Sequence, residues 1–284
     1  MQKPENRGSF KVAVCFSGQA RYWKECVDNI RKFFEYDFQH FFTKSPIETD
    51  YFIHTWDTNT WRYPKEEHSK FYEEKINNIE EIALEYKAKK YIQEKFDQKR
   101  FSRAWDPMFY SFSRSLFLKR EYEIEKNFEY DVVIKARLDV IYNPEQKINL
   151  SGISVGVNGL IPGVCYTIRN INKFSYEFNY NSFDDVLFYG DSRTMDLVGD
   201  LYFNYKIIHN IDELIELRKG INILPSTFYG PGTLLYEHMV SMGIHPECKE
   251  NIEYCVMRST AVADNLDSIK DYEEIKKRWI DWYI

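Results

Sequence analysis

The 284-residue sequence lacks the signals that would assign it to several large classes of protein. It has no run approaching the ~20 apolar residues of a membrane-spanning helix. Its opening residues, MQKPENRGSF, contain no apolar segment of the kind found in signal peptides. Its cysteines form no CxxC pair and no zinc-finger spacing; they are Cys15, Cys26, Cys165, Cys248 and Cys255. We therefore expect free thiols in a reducing compartment and a soluble cytoplasmic protein.

Positive charge is also in short supply. The 38 Lys and Arg residues are outnumbered by 44 Asp and Glu, which gives a net charge of −6. Nucleic-acid binding requires a basic surface to neutralise phosphates, so we expect no nucleic-acid partner. Hydrophobic residues make up 44% of the chain, enough for a large core, so we expect a globular protein.

Several familiar functional motifs are missing as well. The sequence has no HExxH, no protein-kinase signature, no P-loop and no GxGxxG. Zinc-protease and kinase chemistry, and Walker-type phosphate binding, are therefore unsupported.

What the sequence does contain is an alternation of strand-like and helix-like segments. The pattern predicts strands over 12–16, 50–57 and 130–142, a long surface helix over 66–98, and helices after residue 18 and from Trp105 to about Asn127. Farther along, 182–198 predicts a strand followed by a helix, and 230–244 a helix that stops at Gly243. This order is typical of an α/β fold with a mixed, mainly parallel sheet flanked by helices.

Three polar clusters fall at the carboxyl ends of predicted strands, where open parallel sheets bind their ligands. The first comprises Ser17, Gly18, Gln19 and Arg21, whose backbone N–H groups and guanidinium would favour an anion at a helix N-terminus. The alternative is a helix cap with a surface arginine. The second cluster, His54 to Asp57, fits a nucleoside contact or, equally, a hydrogen-bonded core histidine.

The third cluster lies in DVVIKARLDVIY, residues 131–142. Lys135, Arg137 and Asp139 alternate along the predicted strand and would share one face. The carboxylate of Asp139 could hold a hard divalent cation, and the two cations could neutralise phosphates. The alternative is a salt bridge between strand neighbours at a sheet edge.

Five segments together resemble a known family. In chain order, the segments are VAVCFSGQAR, DYFIHTWD, MFYSFSRSLFLKREYE, YDVVIKARLDV and SFDDVLFYGDSRTMD. They resemble the small GT-A-type glycosyltransferases of bacterial surface-polysaccharide gene clusters and of large viruses and phages. The likeness covers roughly residues 10 to 200, and more faintly the helix at 233–242. One departure stands out, because Arg137 occupies the place of the first acid of the family's DxD motif.

This resemblance implies a Rossmann-like, GT-A domain spanning 1–284, with a nucleotide-sugar-binding half at about 9–145 and an acceptor-side half at about 146–284. It also implies a nucleotide-diphosphate sugar as donor, a glycan acceptor, a role in polysaccharide biosynthesis and, for a viral protein, location in the host cytoplasm. Arg137 would itself neutralise the diphosphate, and Asp139 would bind Mn²⁺ or Mg²⁺ or, alternatively, a hydroxyl of the donor sugar.

Asp184 and Asp185 are the candidates for acceptor chemistry, because inverting glycosyl transfer needs a carboxylate base to accept the acceptor's hydroxyl proton. We expect Asp185 to be this base and both residues to contact substrate. Alternatively, Asp184 caps a turn and Asp185 pairs with a nearby cation. Two other functions fit the sequence: a carbohydrate- or nucleotide-binding module without turnover, and a nucleotidyltransferase that makes sugar nucleotides.

Overall fold

The computed structural model describes residues 9–35, 46–58, 78–101, 105–148, 150, 162–169, 184–208 and 231–256. Its strands are β1 (Phe10–Gly18), β2 (Ile47–Trp56), β3 (Lys90–Glu94), β4 (Val132–Ala136), β5 (Val140–Tyr142), β6 (Val164–Arg169), β7 (Phe188–Gly190), β8 (His245–Asn251) and β9 (Tyr254–Val256). Its helices are α1 (Trp23–Phe34), α2 (Ile79–Tyr86), α3 (Asp106–Lys126), α4 (Ser192–Gly199), α5 (Leu201–Ile208) and α6 (Pro231–Ser241).

Seven strands form one sheet in the order β3-β2-β1-β4-β7-β6-β8. β7 is antiparallel to both of its neighbours, and the other pairings are parallel. The prediction of a mixed, mainly parallel sheet flanked by helices is confirmed. The order β3-β2-β1-β4 is that of the Rossmann half-sheet, which places a topological switch point between the carboxyl ends of β1 and β4.

Helices cover both faces of the sheet, so the central strands are buried on both sides. Val12, Val14 and Phe16 of β1 pack in the layer that contains α1. Ala13 and Cys15, which point the other way, pack in the layer that contains α3, α4 and α6. This two-sided burial explains why β1 is a continuous apolar run rather than an alternating one.

The predicted helices agree with the structure where their periodicity is clear. The apolar face of α1 is buried, and α3 begins after Trp105 and ends at Asn127, whose φ of 55° is a left-handed C-cap. Gly243, with φ of 72°, follows α6 as predicted. An isolated positive φ of this kind favours Gly or Asn at a helix end.

The prediction of a continuous helix over 66–98 is wrong. Asn78 caps the start of α2 with its side chain, and Lys87 ends the helix in a left-handed conformation with φ of 52°. The chain then forms β3, the edge strand beside β2. The part of the prediction before residue 78 lies outside the described residues.

The prediction of one strand over 130–142 is also wrong. β4 ends at Ala136, and after a turn the chain enters β5, which pairs with β9 in a separate two-stranded sheet. Lys135, Arg137 and Asp139 therefore do not share one strand face, since the last two lie in the turn between the sheets. None of the helices described is long and apolar enough to cross a membrane.

Candidate functional site

The first polar cluster lies at the switch point, as its position after β1 predicts. Gly18 ends β1 with φ of 110°, a conformation that L side chains rarely adopt, and its N–H donates to the hydroxyl of Ser111 in α3 at 2.6 Å. The side-chain amide of Gln19 donates to the carbonyl of Thr58 at 3.3 Å. The hydroxyl of Ser17 is buried and has no hydrogen-bond partner among the described residues.

Arg21 and Arg137 meet at one carboxylate. Nη2 of Arg21 donates to Oδ2 of Asp139 at 2.9 Å. Arg137 donates to the same group twice, from Nε to Oδ1 at 2.8 Å and from Nη2 to Oδ2 at 2.7 Å. Burial opposes the charge of Arg137, but Asp139 outweighs it and raises the pKa of that guanidinium. The first and third predicted clusters are thus brought into direct contact.

Lys135 faces a different partner. Its side chain is buried, and its ammonium donates to the backbone carbonyls of Asp185 and Val186 in the segment before β7. Burial lowers the pKa of Lys135 to about 8, against the opposing effect of the Asp185 carboxylate. The ammonium therefore fastens the Asp185 segment to β4.

The acidic pair reaches this edge of the sheet because β7 is antiparallel to β4. Lys135 is paired with Phe188, so the residues that precede β7 lie beside the carboxyl end of β4. Asp184 is buried, and its carboxylate accepts from the N–H of Val186 at 2.8 Å and from the hydroxyl of Tyr254 at 2.7 Å. This is the turn-capping role given above as the alternative for Asp184.

Asp185 differs from Asp184 in exposure and in surroundings. It is only partly buried. The Asp185 segment lies beside the carboxyl end of β4, where its charge acts on Arg137.

His54 belongs to the core. It is fully buried, its Nδ1 lies 2.7 Å from the hydroxyl of Ser111, and its Nε2 lies 3.5 Å from Oε1 of Glu94. Burial lowers the pKa of His54, although Glu94 opposes this effect. The neutral ring therefore links the ends of β2 and β3, which favours the core-histidine interpretation over a direct nucleoside contact.

Glu94 is the centre of a further polar cluster, which was not among the three predicted from the sequence. Its carboxylate accepts from the hydroxyl of Tyr110 at 2.8 Å and from Nε of Arg114 at 2.9 Å, both shorter than its contact with His54. The nearby His54 ring, and then hydrogen bonds from Tyr110 and Arg114, lower the pKa of Glu94 to about 2. The signal was hidden because Glu94 lay inside the helix predicted for 66–98.

Asp57 is held by the same strand end. Its N–H donates to the carbonyl of Glu94, and its Oδ1 accepts from the N–H of Phe96, each at 2.9 Å. In this structure Asp57 therefore closes the turn after β3, and its expected contact with a ligand stays a prediction.

The residues present do not fit the divalent cation expected at Asp139. Hard cations take several oxygen ligands, whereas both oxygens of Asp139 already accept from guanidinium groups. In the ranges described, no group of three or more His, Cys, Asp or Glu side chains could hold a metal ion.

No family model and no curated protein matches the sequence. Among solved structures, the chain is similar to a glycosyltransferase involved in the glycosylation of the major capsid of PBCV-1. The match covers 86% of this chain and 81% of the other, with a TM-score of 0.36 and 9% identity. An overlap at this level defines no family.

Proposed function

We propose that this protein is a glycosyltransferase that moves a sugar from a nucleotide-diphosphate sugar to a glycan or another hydroxyl acceptor. The observation that carries the proposal is the meeting of Arg21 and Arg137 at the switch point of a Rossmann-type sheet. This is where such sheets bind nucleotides, and guanidinium groups are the side chains best matched to phosphate oxygens.

The backbone at the end of β1 supports a phosphate-binding role. Gly18 carries no Cβ, and an added one would find no atom of the described residues within 4 Å. The buried hydroxyl of Ser17 adds a polar group at the same strand end. An anionic ligand beside this loop would also lie near the N-terminus of α1, where negative charge is favoured.

Asp185 supports the transfer step. In this proposal its carboxylate takes the proton of the acceptor hydroxyl as the oxygen attacks the donor sugar, and the nucleoside diphosphate leaves. Partial exposure would give an acceptor access to Asp185, and its proximity to Arg137 would place it next to the donor diphosphate. Asp184 then supports the turn that presents Asp185.

A binding module without turnover is the second candidate. The observation that favours it is the complete engagement of Asp139 by arginine, since the carboxylate that would coordinate the donor's cation in the resembled family is not available here. The two candidates share a nucleotide site and differ only in chemistry.

The test of the proposal is a thermal-shift screen of nucleotide sugars that varies the base and the sugar, followed by an assay for nucleoside diphosphate release. A bound donor at 100 times its dissociation constant should stabilise the fold by about 2.7 kcal/mol. If no nucleotide or nucleotide sugar raises the melting temperature, the proposal fails. Binding without release, even in the presence of mixed glycan acceptors, would favour the binding module.

A further inference from the structure

The inference concerns the job of Asp139 and rests on the proposed function. The Asp139 side chain is 0% exposed, while those of Arg21 and Arg137 are 9% and 11% exposed. Asp139 is therefore enclosed by the two arginines that it binds, and each arginine keeps a small accessible surface.

The contacts of Asp139 orient both guanidinium groups. Arg137 approaches with two parallel N–H···O bonds, a bidentate geometry that fixes the plane of the guanidinium as well as its position. Arg21 shares Oδ2 with Arg137. Without the carboxylate, two like charges held near one point at a buried site would repel each other, so Asp139 makes the arrangement possible.

The same contacts make a divalent cation an unsuitable ligand. A cation bound to Asp139 would have to displace at least one guanidinium and would then lie beside both positive charges. Its remaining coordination would have to come from other oxygens, and the carboxylate of Asp184 is already engaged by Val186 and Tyr254.

We propose that Asp139 is a positioning residue that holds Arg21 and Arg137 as a paired guanidinium clamp, and that this clamp binds the donor diphosphate without a divalent cation. The two arginines and the carboxylate that joins them carry, among themselves, a net single positive charge. The N–H groups of two guanidiniums match the several oxygens of a diphosphate better than one point charge would.

The first experiment compares the wild-type protein with itself. Inorganic pyrophosphate and UDP, GDP, ADP and CDP are titrated by calorimetry in EDTA and again in Mn²⁺. We expect at least one nucleoside diphosphate to bind with the same dissociation constant, within threefold, in both buffers. Binding that requires Mn²⁺ would overturn the inference and leave the proposed function intact. If no probe binds in either buffer, the proposed function itself fails.

The variants separate positioning from metal ligation. Asp139→Asn keeps the shape of the side chain but removes the charge and one acceptor oxygen. We expect it to weaken binding at least tenfold in both buffers, as we expect of Arg21→Gln and Arg137→Gln. Arg193→Gln, at an exposed arginine of α4, is the matched control and should bind like wild type. Loss of Mn²⁺ stimulation alone in Asp139→Asn would contradict the positioning role.

A direct measurement of metal binding covers the case in which Asp139→Asn fails to fold. Mn²⁺ alone is titrated into the wild-type protein, and free ion is followed by electron paramagnetic resonance. We expect no stoichiometric site. A site of one Mn²⁺ per chain that is weakened at least tenfold in Asp139→Glu, a variant that keeps the carboxylate charge, would overturn the inference.

Discussion

The hydroxyl of Ser111 receives the N–H of Gly18 at 2.6 Å and contacts Nδ1 of His54 at 2.7 Å. One buried side chain of α3 thus joins the carboxyl ends of β1 and β2. The conformation of the loop that carries Arg21 therefore depends in part on a serine of α3.

Replacing Ser111 with alanine should destabilise the protein and weaken donor binding. The change leaves the N–H of Gly18 and Nδ1 of His54 without their partner, a loss of about 1–3 kcal/mol for buried polar groups. Urea unfolding measures the stability. Ser115→Ala is the control, because the buried Ser115 bonds, within the part of the chain that the structure describes, to the carbonyl of Phe112 in its own helix. Equal stability of the two variants would argue against the joining role of Ser111.

Asp185→Asn and Asp184→Asn should differ in kind. With its general base removed, Asp185→Asn should keep donor affinity and lose roughly a hundredfold or more in the rate of nucleoside diphosphate release. Asp184→Asn should instead lower stability by about 1–3 kcal/mol, because its carboxylate bonds with Val186 and Tyr254 inside the fold. Wild-type turnover in Asp185→Asn would reduce that residue to a structural role.

Glu94 should make stability depend on pH in the acidic range. Its pKa is about 2 in the folded protein against an ordinary value of 4.5, so its contribution is complete above pH 4.5 and is lost as the pH falls toward 2. The stability gap between wild type and Glu94→Gln should therefore shrink between pH 6 and pH 3 in urea unfolding. Glu81→Gln, which removes an exposed ion pair with Lys24, is the control and should show at most a small gap at pH 6. A constant gap for Glu94→Gln would contradict the assignment.

Lys135 should act in the opposite pH range. Its pKa is about 8 in the folded protein against 10.5 ordinarily, so between these values the unfolded chain binds more protons and the folded state gains stability as the pH rises. Relative to Lys135→Met, wild type should gain stability between pH 7.5 and pH 10.

Lys119→Met is the matched control for Lys135→Met. Lys119 is also buried, but its partners Asp196 and Glu123 outweigh burial and raise its pKa. Its stabilising effect is complete below pH 10.5, so wild type should show no such gain over Lys119→Met between pH 7.5 and pH 10. Parallel curves for the two pairs would mean that Lys135 is not held as a buried cation.

The sequence predicted those elements whose periodicity reflects their burial. β1 is apolar throughout because both of its faces are covered, and α1 has an apolar stripe because only one face is. β3 escaped prediction because it is a short edge strand directly after a helix, and its five residues are charged at both ends. The break after Ala136 was missed because Arg137 and Asp139 are bonded to each other across the turn. Charged residues two positions apart produce the same alternating pattern in the sequence as one face of a strand.

The site divides in the same way. The sequence predicted that the residues after β1 and β4 would lie close together, because parallel strands end at the same edge of a sheet. The proximity of Asp185 to them could not be predicted, since it depends on the reversed direction of β7. The contact of Tyr254 with Asp184 depends on where β9 pairs, which no local pattern encodes.

The pairing of β5 with β9 has a consequence for the order in which the molecule folds. The turn that carries Arg137 and Asp139 is anchored on one side by β4 and on the other by β5, and Asn143 just beyond bonds to Glu253, 110 positions later. Contacts so distant along the chain form late, because they must offset the entropy of closing a long loop. During synthesis β1, α1, β2, α3 and β4 can assemble first, and the turn that carries Arg137 and Asp139 gains its β5–β9 anchor only after residues 254–256 have left the ribosome.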